Sequence, residues 1–527
     1  MQLIFKKIRL VAEDMPPGQF LLLNAVMGFA HIFVLINMGA YLAMLPEVGS
    51  ALGVNPAFAA WPQTQFFVGL ALAAPLSAWL TAKQGAARVF FLEMIGFALT
   101  AVICGFTHNF IVFLVSRFFM GVFSGLIIPL SLQVLLRYYR PNYHKKALGL
   151  WGAAALTPFT IAPLLGGWMT DAWGWRSLFW IDAVLALLLG TLGALLLLGR
   201  EKEAKISRPD WPGLAFLTVA LVTTQLIFDL GEKDDWLRSN TILFLLVLAI
   251  VTWLLLLVWE WHTPNPLVDY RLFRERNFTI AIMGIFVGTL FFQGLMALYV
   301  VQSQVIFGFT AFLAGLTVLP MALFAKPVSI LMHRAVQRFD PRLLAFANFL
   351  GFALGCWIVA SYDRNASYSA LLWPQFLVGI FLGGLFAPLT VMALTGLSGP
   401  AENKAVGVFN MFRVAAQGYG IPILAAWAAR RAALNRHFLV EPALQTSQNL
   451  VAHNQIFLQR GLSSTVIRAI NTRLIDHHAA LLAFNEMFYA AAWVFAGLAV
   501  LMLLARPVRH PLRNPTDQQR LEELAEP

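Results

Sequence analysis

Apolar stretches of roughly 20 residues, each long enough for a helix to cross a bilayer core of about 30 Å, recur along the chain between short polar connections. The pattern predicts fourteen spans, over 20–45, 58–81, 89–108, 111–136, 146–170, 177–199, 212–230, 241–261, 278–301, 312–333, 343–361, 371–397, 405–429 and 484–507. All are expected to be helical, because open strands or irregular backbone facing lipid would leave amide groups unsatisfied.

The same pattern occurs twice. Arg117-Phe-Phe-Met-Gly-Val-Phe-Ser-Gly-Leu-Ile-Ile-Pro-Leu130 returns, one residue longer, as Gln375-Phe-Leu-Val-Gly-Ile-Phe-Leu-Gly-Gly-Leu-Phe-Ala-Pro-Leu389. Ala147-Leu-Gly-Leu-Trp151 returns as Ala405-Val-Gly-Val-Phe409, and the basic turn of Lys83 and Arg88 as that of Arg338 and Arg342. Two parallel copies of an apolar helical unit place a ligand between them, since rocking one half against the other is how repeat-built transporters alternate access. The expected organisation is an N-terminal segment 1–19, a six-helix bundle 20–199 and a linker 200–277 carrying two inserted spans. A second six-helix bundle, 278–507, follows with a long loop 430–483, and then a tail 508–527.

Composition sets the solvent. Hydrophobic residues make up 59% and charged residues 12% of the chain, and the mean hydropathy is +0.72. These values exclude an ordinary soluble globule and indicate an all-α polytopic membrane protein. Met1–Gly18 is charged and Pro-rich, unlike a cleavable signal peptide. The net charge of +11 is distributed unevenly: the short loops on one side hold only Arg176, Lys233, Arg238 and Arg364. Positive residues favour the cytoplasmic side, so both termini are expected there. Scattering over many short loops argues against a nucleic-acid partner. The 430–483 loop falls outside yet carries Arg430, Arg431, Arg436, Arg460, Arg468 and Arg473, as long translocated segments can. Val466, Ile470 and Leu474 recur every fourth position there, suggesting an amphipathic helix. It is either a hairpin packed on its own helices or a docking surface for an extracytoplasmic partner.

Chemistry narrows the class further. Cys104 and Cys356 sit within predicted spans, and no metal-ligand cluster, phosphate-binding loop or nucleophile motif occurs, so neither an enzyme nor a cofactor is expected. Transport would then run on an ion gradient or downhill. Charges deep in a bilayer cost several kcal/mol unless they meet a partner or a wet cavity. That singles out Arg117, Lys326, Arg413 and His31, while Glu93, Asp182, Asp229, Glu260 and Glu486 are expected near helix ends. Polar candidates lining a pocket are Asn37, Gln63, Gln65, Arg117, Gln293, Gln302, Arg413 and Gln417. In the fifth span Pro158 and Pro163 can kink the helix, and Gly149, Gly152, Gly166 and Gly167 permit close approach. Such a helix suits a gate between the halves, or a tightly packed static helix.

In order along the chain, these motifs resemble the major facilitator superfamily, specifically its fourteen-span drug:proton antiporter group of the EmrB/QacA type. Ala162-Pro163-Leu-Leu-Gly166-Gly167 resembles the antiporter signature, and Trp175-Arg176-Ser-Leu-Phe-Trp-Ile-Asp182 the family's Trp-Arg-x-x-Phe-x-Ile-Asn. Asp229-Leu-Gly-Glu-Lys-Asp-Asp-Trp236 resembles its Asp-x-Gly-x-x-x-Asp-Trp turn. Leu272–Phe278, Asn410 to Gly420 and Phe484-Asn-Glu486 follow the C-terminal half. The resemblance implies a major facilitator fold and export of amphiphilic small molecules by proton antiport across a bacterial cytoplasmic (inner) membrane. It also implies a possible partnership with a periplasmic adaptor (membrane fusion protein) and an outer-membrane channel, docked on the long loop.

Two departures stand out. The family's first-helix Asp is Asn37 here, which leaves Arg117 facing no carboxylate, and the turn after the second helix reads Ala82-Lys83 where the family places Asp-Arg. Coupling is therefore expected to use His31, Glu93 or Asp182. A cavity with Arg117, Lys326 and Arg413 is expected to be electropositive and to favour neutral or anionic amphiphiles. An importer or uniporter of organic anions and a non-transporting membrane scaffold remain as alternatives.

Overall fold

The computed structural model describes residues 15–54, 58–73, 76–140, 143, 161–199, 210–264, 266–363, 367–397, 400–445, 455, 457–460 and 463–508. In chain order the first half holds α1 (Pro17–Ala51), α2 (Trp61–Ala73), α3 (Ser77–Gln84), α4 (Ala86–Phe106), α5 (Phe110–Tyr138), α6 (161–173) and α7 (Arg176–Leu197). Two inserted helices follow, α8 (Trp211–Gly231) and α9 (Asn240–His262). The second half holds α10 (Arg276–Val305), α11 (Ala311–Thr317), α12 (Leu319–Ala335), α13 (Pro341–Val359), α14 (Tyr368–Leu394), α15 (Pro400–Gln445) and α16 (Ser464–Leu503). Among the described residues, 11 helices are long and apolar enough to cross a membrane, with α11 and α12 together counted as one. The three other expected spans correspond to α2 with α3, to α6 and to α15; residues 146–160 of the fifth span lie outside the described residues.

Polar side chains at the connections start the helices. Asn109 accepts hydrogen bonds from the Ile111 and Val112 amides at the head of α5, and Asp210, Asp340, Ser367 and Ser463 do the same for α8, α13, α14 and α16. They satisfy amides that have no intrahelical acceptor.

The sequence repeat reappears as packing. α2 lies on α5 as α12 lies on α14, α4 on α7 as α13 on α16, and α1 against α5 and α7 as α10 against α14 and α16. Glycines set the closest of these contacts. A Cβ at Gly121 would stand 2.0 Å from the Phe66 carbonyl oxygen, and one at Gly125 2.4 Å from that of Leu70. In the second half a Cβ at Gly379 would stand 2.6 Å from the Met321 carbonyl oxygen, and one at Gly383 2.2 Å from that of Ala325. Backbone this close admits no side chain. Gly121→Leu is therefore expected to push α2 off α5, destabilising the protein by at least about 1–3 kcal/mol, read as a lowered melting temperature in detergent; an unchanged melt would contradict the packing.

Gln304 Nε2, near the end of α10, donates to Ala43 O near the end of α1, while Asn277 at the start of α10 exchanges hydrogen bonds with the backbone of Arg506 beyond α16. The start of α1 and the end of α16 thus share one face, called here the terminal face; the other is the distal face. At 1.5 Å per residue the 46 residues of α15 and 40 of α16 exceed any bilayer core. Their distal ends form a projecting helical hairpin, tied by Arg431–Glu486 and Arg436–Asp476 ion pairs of 2.6 Å. Arg430 pairs with Glu232 beyond α8 at 2.7 Å. Three of the loop's arginines are thus held by acids of their own chain, as a hairpin packed on its own helices requires.

Candidate translocation site

Three polar clusters lie inside this apolar frame. The first is in the first half. Arg117, two turns into α5, is completely buried. Its Nη1 donates to Asn37 Oδ1 and its Nη2 to Gln63 Oε1, both at 2.6 Å, and Gln63 Nε2 donates onward to Met38 O. The guanidinium lies over the Tyr41 and Phe66 rings, 4.8 and 4.6 Å from their centroids. Asn37 in turn donates through Nδ2 to Asp182 Oδ2 on α7. This corrects two expectations. Arg117 does not lack a carboxylate, and Asp182 is no helix-end charge: it is buried inside the bundle and reaches Arg117 through the Asn37 amide. The relay works because an amide presents an acceptor to the cation and a donor to the anion at once. A buried guanidinium without such a counter-charge would be strongly destabilising.

The second cluster belongs to the second half, on α10 and α15. Gln293 on α10 is fully buried, and neither its amide oxygen nor its nitrogen has a hydrogen-bond partner among the described residues. Gln417 on α15 is also buried, with Oε1 unpartnered among the described residues. They flank a close approach of their helices, where a Cβ at Gly294 would stand 2.4 Å from Gly420 O. Arg413, one turn before Gln417, lies over the Phe386 ring at 5.5 Å, within electrostatic reach of the buried His31 on α1. Buried amides left without partners are costly, and a ligand headgroup or water that met them would be favoured. Glu93 on α4 is buried with both oxygens unpartnered among the described residues, and takes no part in the Arg117 relay. Gln302 and Lys326 are partly exposed.

The distal face is closed by a seam between the halves. A Cβ at Gly167 of α6 would stand 2.1 Å from Ala311 O of α11, while its neighbour Gly166 packs within the first half, where a Cβ would stand 2.3 Å from Ala40 O of α1. Across the same seam a Cβ at Gly315 would stand 2.3 Å from Pro163 O, and the Phe312 amide donates to Asp171 Oδ2 at 2.9 Å. Pro158, Gly149 and Gly152 lie outside the described residues.

Sequence reasoning missed a third cluster around Asp229 on α8, which accepts from Thr64 and Gln65 of α2 and from Gln225. A carboxylate one turn from a helix end reads as interfacial; only the packing of α8 on α2 reveals its partners.

Two matched bundles with a sealed seam, a buried charge relay inside one and unpartnered buried amides inside the other define a membrane transporter rather than an enzyme. The chain belongs to the major facilitator superfamily, whose family model matches residues 27–421. It is 31% identical to the probable multidrug resistance protein EmrY of Escherichia coli (strain K12), over 88% of this chain and 91% of that one. It is 28% identical to the multidrug export protein EmrB of Haemophilus influenzae, over 94% and 98%. Its fold is similar to the crystal structure of a POT-family peptide transporter in complex with sulfate, with a TM-score of 0.59 at 14% identity, covering 91% of this chain and 94% of the other.

Proposed function

We propose that the chain is a secondary-active exporter of amphiphilic small molecules, working by alternating access with proton antiport across a bacterial cytoplasmic membrane. The bundles 20–199 and 278–507 rock about the α6–α11 seam, the terminal face is cytoplasmic, and the distal face opens outward. Support comes from relatives named for multidrug export and resistance and from the Arg117–Asn37–Asp182 relay. That relay is the observation that carries the coupling. Of the coupling candidates, Asp182 alone is a carboxyl hydrogen-bonded to the Arg117 network: a proton arriving there removes the anion that balances the guanidinium, and Arg117 then seeks another partner. His31 lies beside Arg413 and suits ligand contact better.

Arg413, Gln417 and Gln293 form the headgroup site. With Arg117 already balanced by Asp182, the uncompensated cation at the interface is Arg413, so anionic and neutral amphiphiles are preferred over organic cations. Arg413→Gln is expected to lower the anion-to-cation export ratio of paired aromatic substrates by about tenfold in vesicles, the size of a single partly desolvated charge contact of roughly 1.4 kcal/mol. Unchanged preference would sink the assignment.

The projecting hairpin is proposed as the dock for a periplasmic adaptor. Exposed Leu434 and Phe438, one turn apart on α15, supply an apolar stripe for it. Replacing both with Ser should lower resistance only in cells that possess the adaptor. Equal loss in vesicles lacking any partner would make the hairpin part of the transport fold instead.

A further inference from the structure

We infer that Asp229 is a second proton-binding group, carried by the inserted helix α8, and that its proton closes the distal face. The inference rests on the reading of the chain as a proton-driven exporter. Asp229 is buried where three parts of the fold meet. The Thr64 hydroxyl lies 3.0 and 2.9 Å from its two oxygens and 2.8 Å from Trp61 O, its one proton shared among them, while Gln65 Nε2 donates to Oδ2 at 3.0 Å and Gln225 Nε2 to Oδ1 at 3.0 Å. Thr64 and Gln65 belong to α2 of the first half. The same Gln225 Nε2 also donates to Gly418 O of α15, in the second half, at a longer 3.4 Å.

An independent observation points to the missing ligand. Gln225 Oε1 is fully buried and has no partner among the described residues, although it sits beside a carboxyl group. Every donor around Asp229 is neutral. α2 carries no ionisable residue between Trp61 and Ala73. α15 brings Tyr419, whose ring packs on Phe228, and Arg430, which is held by Glu232. The turn after α8 brings Lys233, Asp234 and the exposed Asp235–Arg238 pair, and α9 carries Glu260 and His262 at its terminal end. A proton is the positive partner that the cluster lacks.

The step balances as follows. A proton from the distal solution binds Asp229 Oδ1, and the Gln225 amide turns so that Oε1 accepts the new O–H. The bond from Nε2 to Oδ1 breaks, and the same turn re-aims the two Nε2 protons toward α15, where Gly418 O accepts. The carboxyl keeps its Thr64 and Gln65 donors on Oδ2. Protonation thereby converts a long contact into a closer one and ties α2, α8 and α15 across the halves. For an antiporter this is the productive sign: the outward-open state takes a proton and closes.

The test uses full-length protein in liposomes without substrate or gradient, so it reads the seam whether or not the chain exports anything. The Arg117 relay is left intact, both native cysteines are replaced, and spin labels on Ser50→Cys and Val305→Cys report the seam by electron–electron distance. Both label positions are exposed at distal helix ends on opposite halves. The short-distance population is expected to grow about threefold from pH 8 to pH 5. Asp229→Asn, whose amide donates in the proton's place, should hold the seam closed at both pH values, and Gln225→Leu, which keeps the carboxyl, should remove the pH response. A response in Asp229→Asn equal to that of its parent would overturn the inference, as would a seam that follows sodium instead of pH. Failed transport with an intact seam response would count against the exporter reading alone.

Discussion

Asp182→Asn is expected to abolish proton-coupled export and to destabilise the protein by about 3–5 kcal/mol, because it leaves the Arg117 guanidinium buried without a counter-charge. Asn37→Asp alone should also fail, for the opposite reason. It places two carboxyls around one guanidinium, and like charges so close do not both ionise without cost. The double substitution, Asn37→Asp with Asp182→Asn, restores one carboxylate and one amide in exchanged places. Contacting residues are strongly non-additive, so it should recover most of the lost stability and export to within about tenfold of the parent. Thermal melting together with vesicle transport for the four proteins checks this. Additive losses in the double variant would mean that the two positions do not share one function.

The second large effect concerns the seam. Gly167→Val places a side chain where even a Cβ would stand 2.1 Å from Ala311 O and 2.5 Å from its carbonyl carbon. Backbone on α11 has no flexible end to yield, so the distal face cannot close. Export is expected to fall to background while each bundle remains folded, and labels across the seam should report a permanently open distal face. Gly174, in the connection after α6, has a backbone φ of 81° and open space around its Cβ position. Gly174→Asn, a residue that tolerates this backbone, should leave transport nearly unchanged. If Gly167→Val exports as well as that control, the α6–α11 contact does not gate transport.

Much of the fold was legible because a membrane makes it so. Apolar length alone specifies helices, and the repeat specifies how the halves pack: Gly121 with Gly125, and their repeats Gly379 with Gly383, are residues at which α2 and α12 come too close for a side chain. Helix ends were less legible outside the bilayer. α15 and α16 run well past their apolar segments because charged pairs such as Arg436–Asp476 continue the helices into solvent, where hydropathy gives no signal.

The polar residues of the candidate site were legible one by one but not as a network. Asn37, Arg117, Gln293, Arg413 and Gln417 stand out as polar groups in apolar helices. That Asn37 bridges Arg117 to Asp182 could not be read, because the bond spans 145 positions and depends on how α1 wedges between α5 and α7. Read singly, Asn37 looks like a lost charge; in the fold the carboxylate stands on the neighbouring helix. Asp229 was passed over for the same reason. Its partners Thr64 and Gln65 lie on α2, far away in sequence and ordinary in type.

The most direct measurement is proton movement driven by substrate. Wild-type protein in sealed vesicles carrying an internal pH indicator, with an acidic lumen and the terminal face outward, should release protons from the lumen when an anionic amphiphile is added outside. The same substrate should accumulate inside, and Asp182→Asn vesicles should show neither flux. Accumulation that proceeds equally after the pH gradient is collapsed, with no proton flux on adding substrate, would contradict coupled antiport and make the chain a downhill carrier.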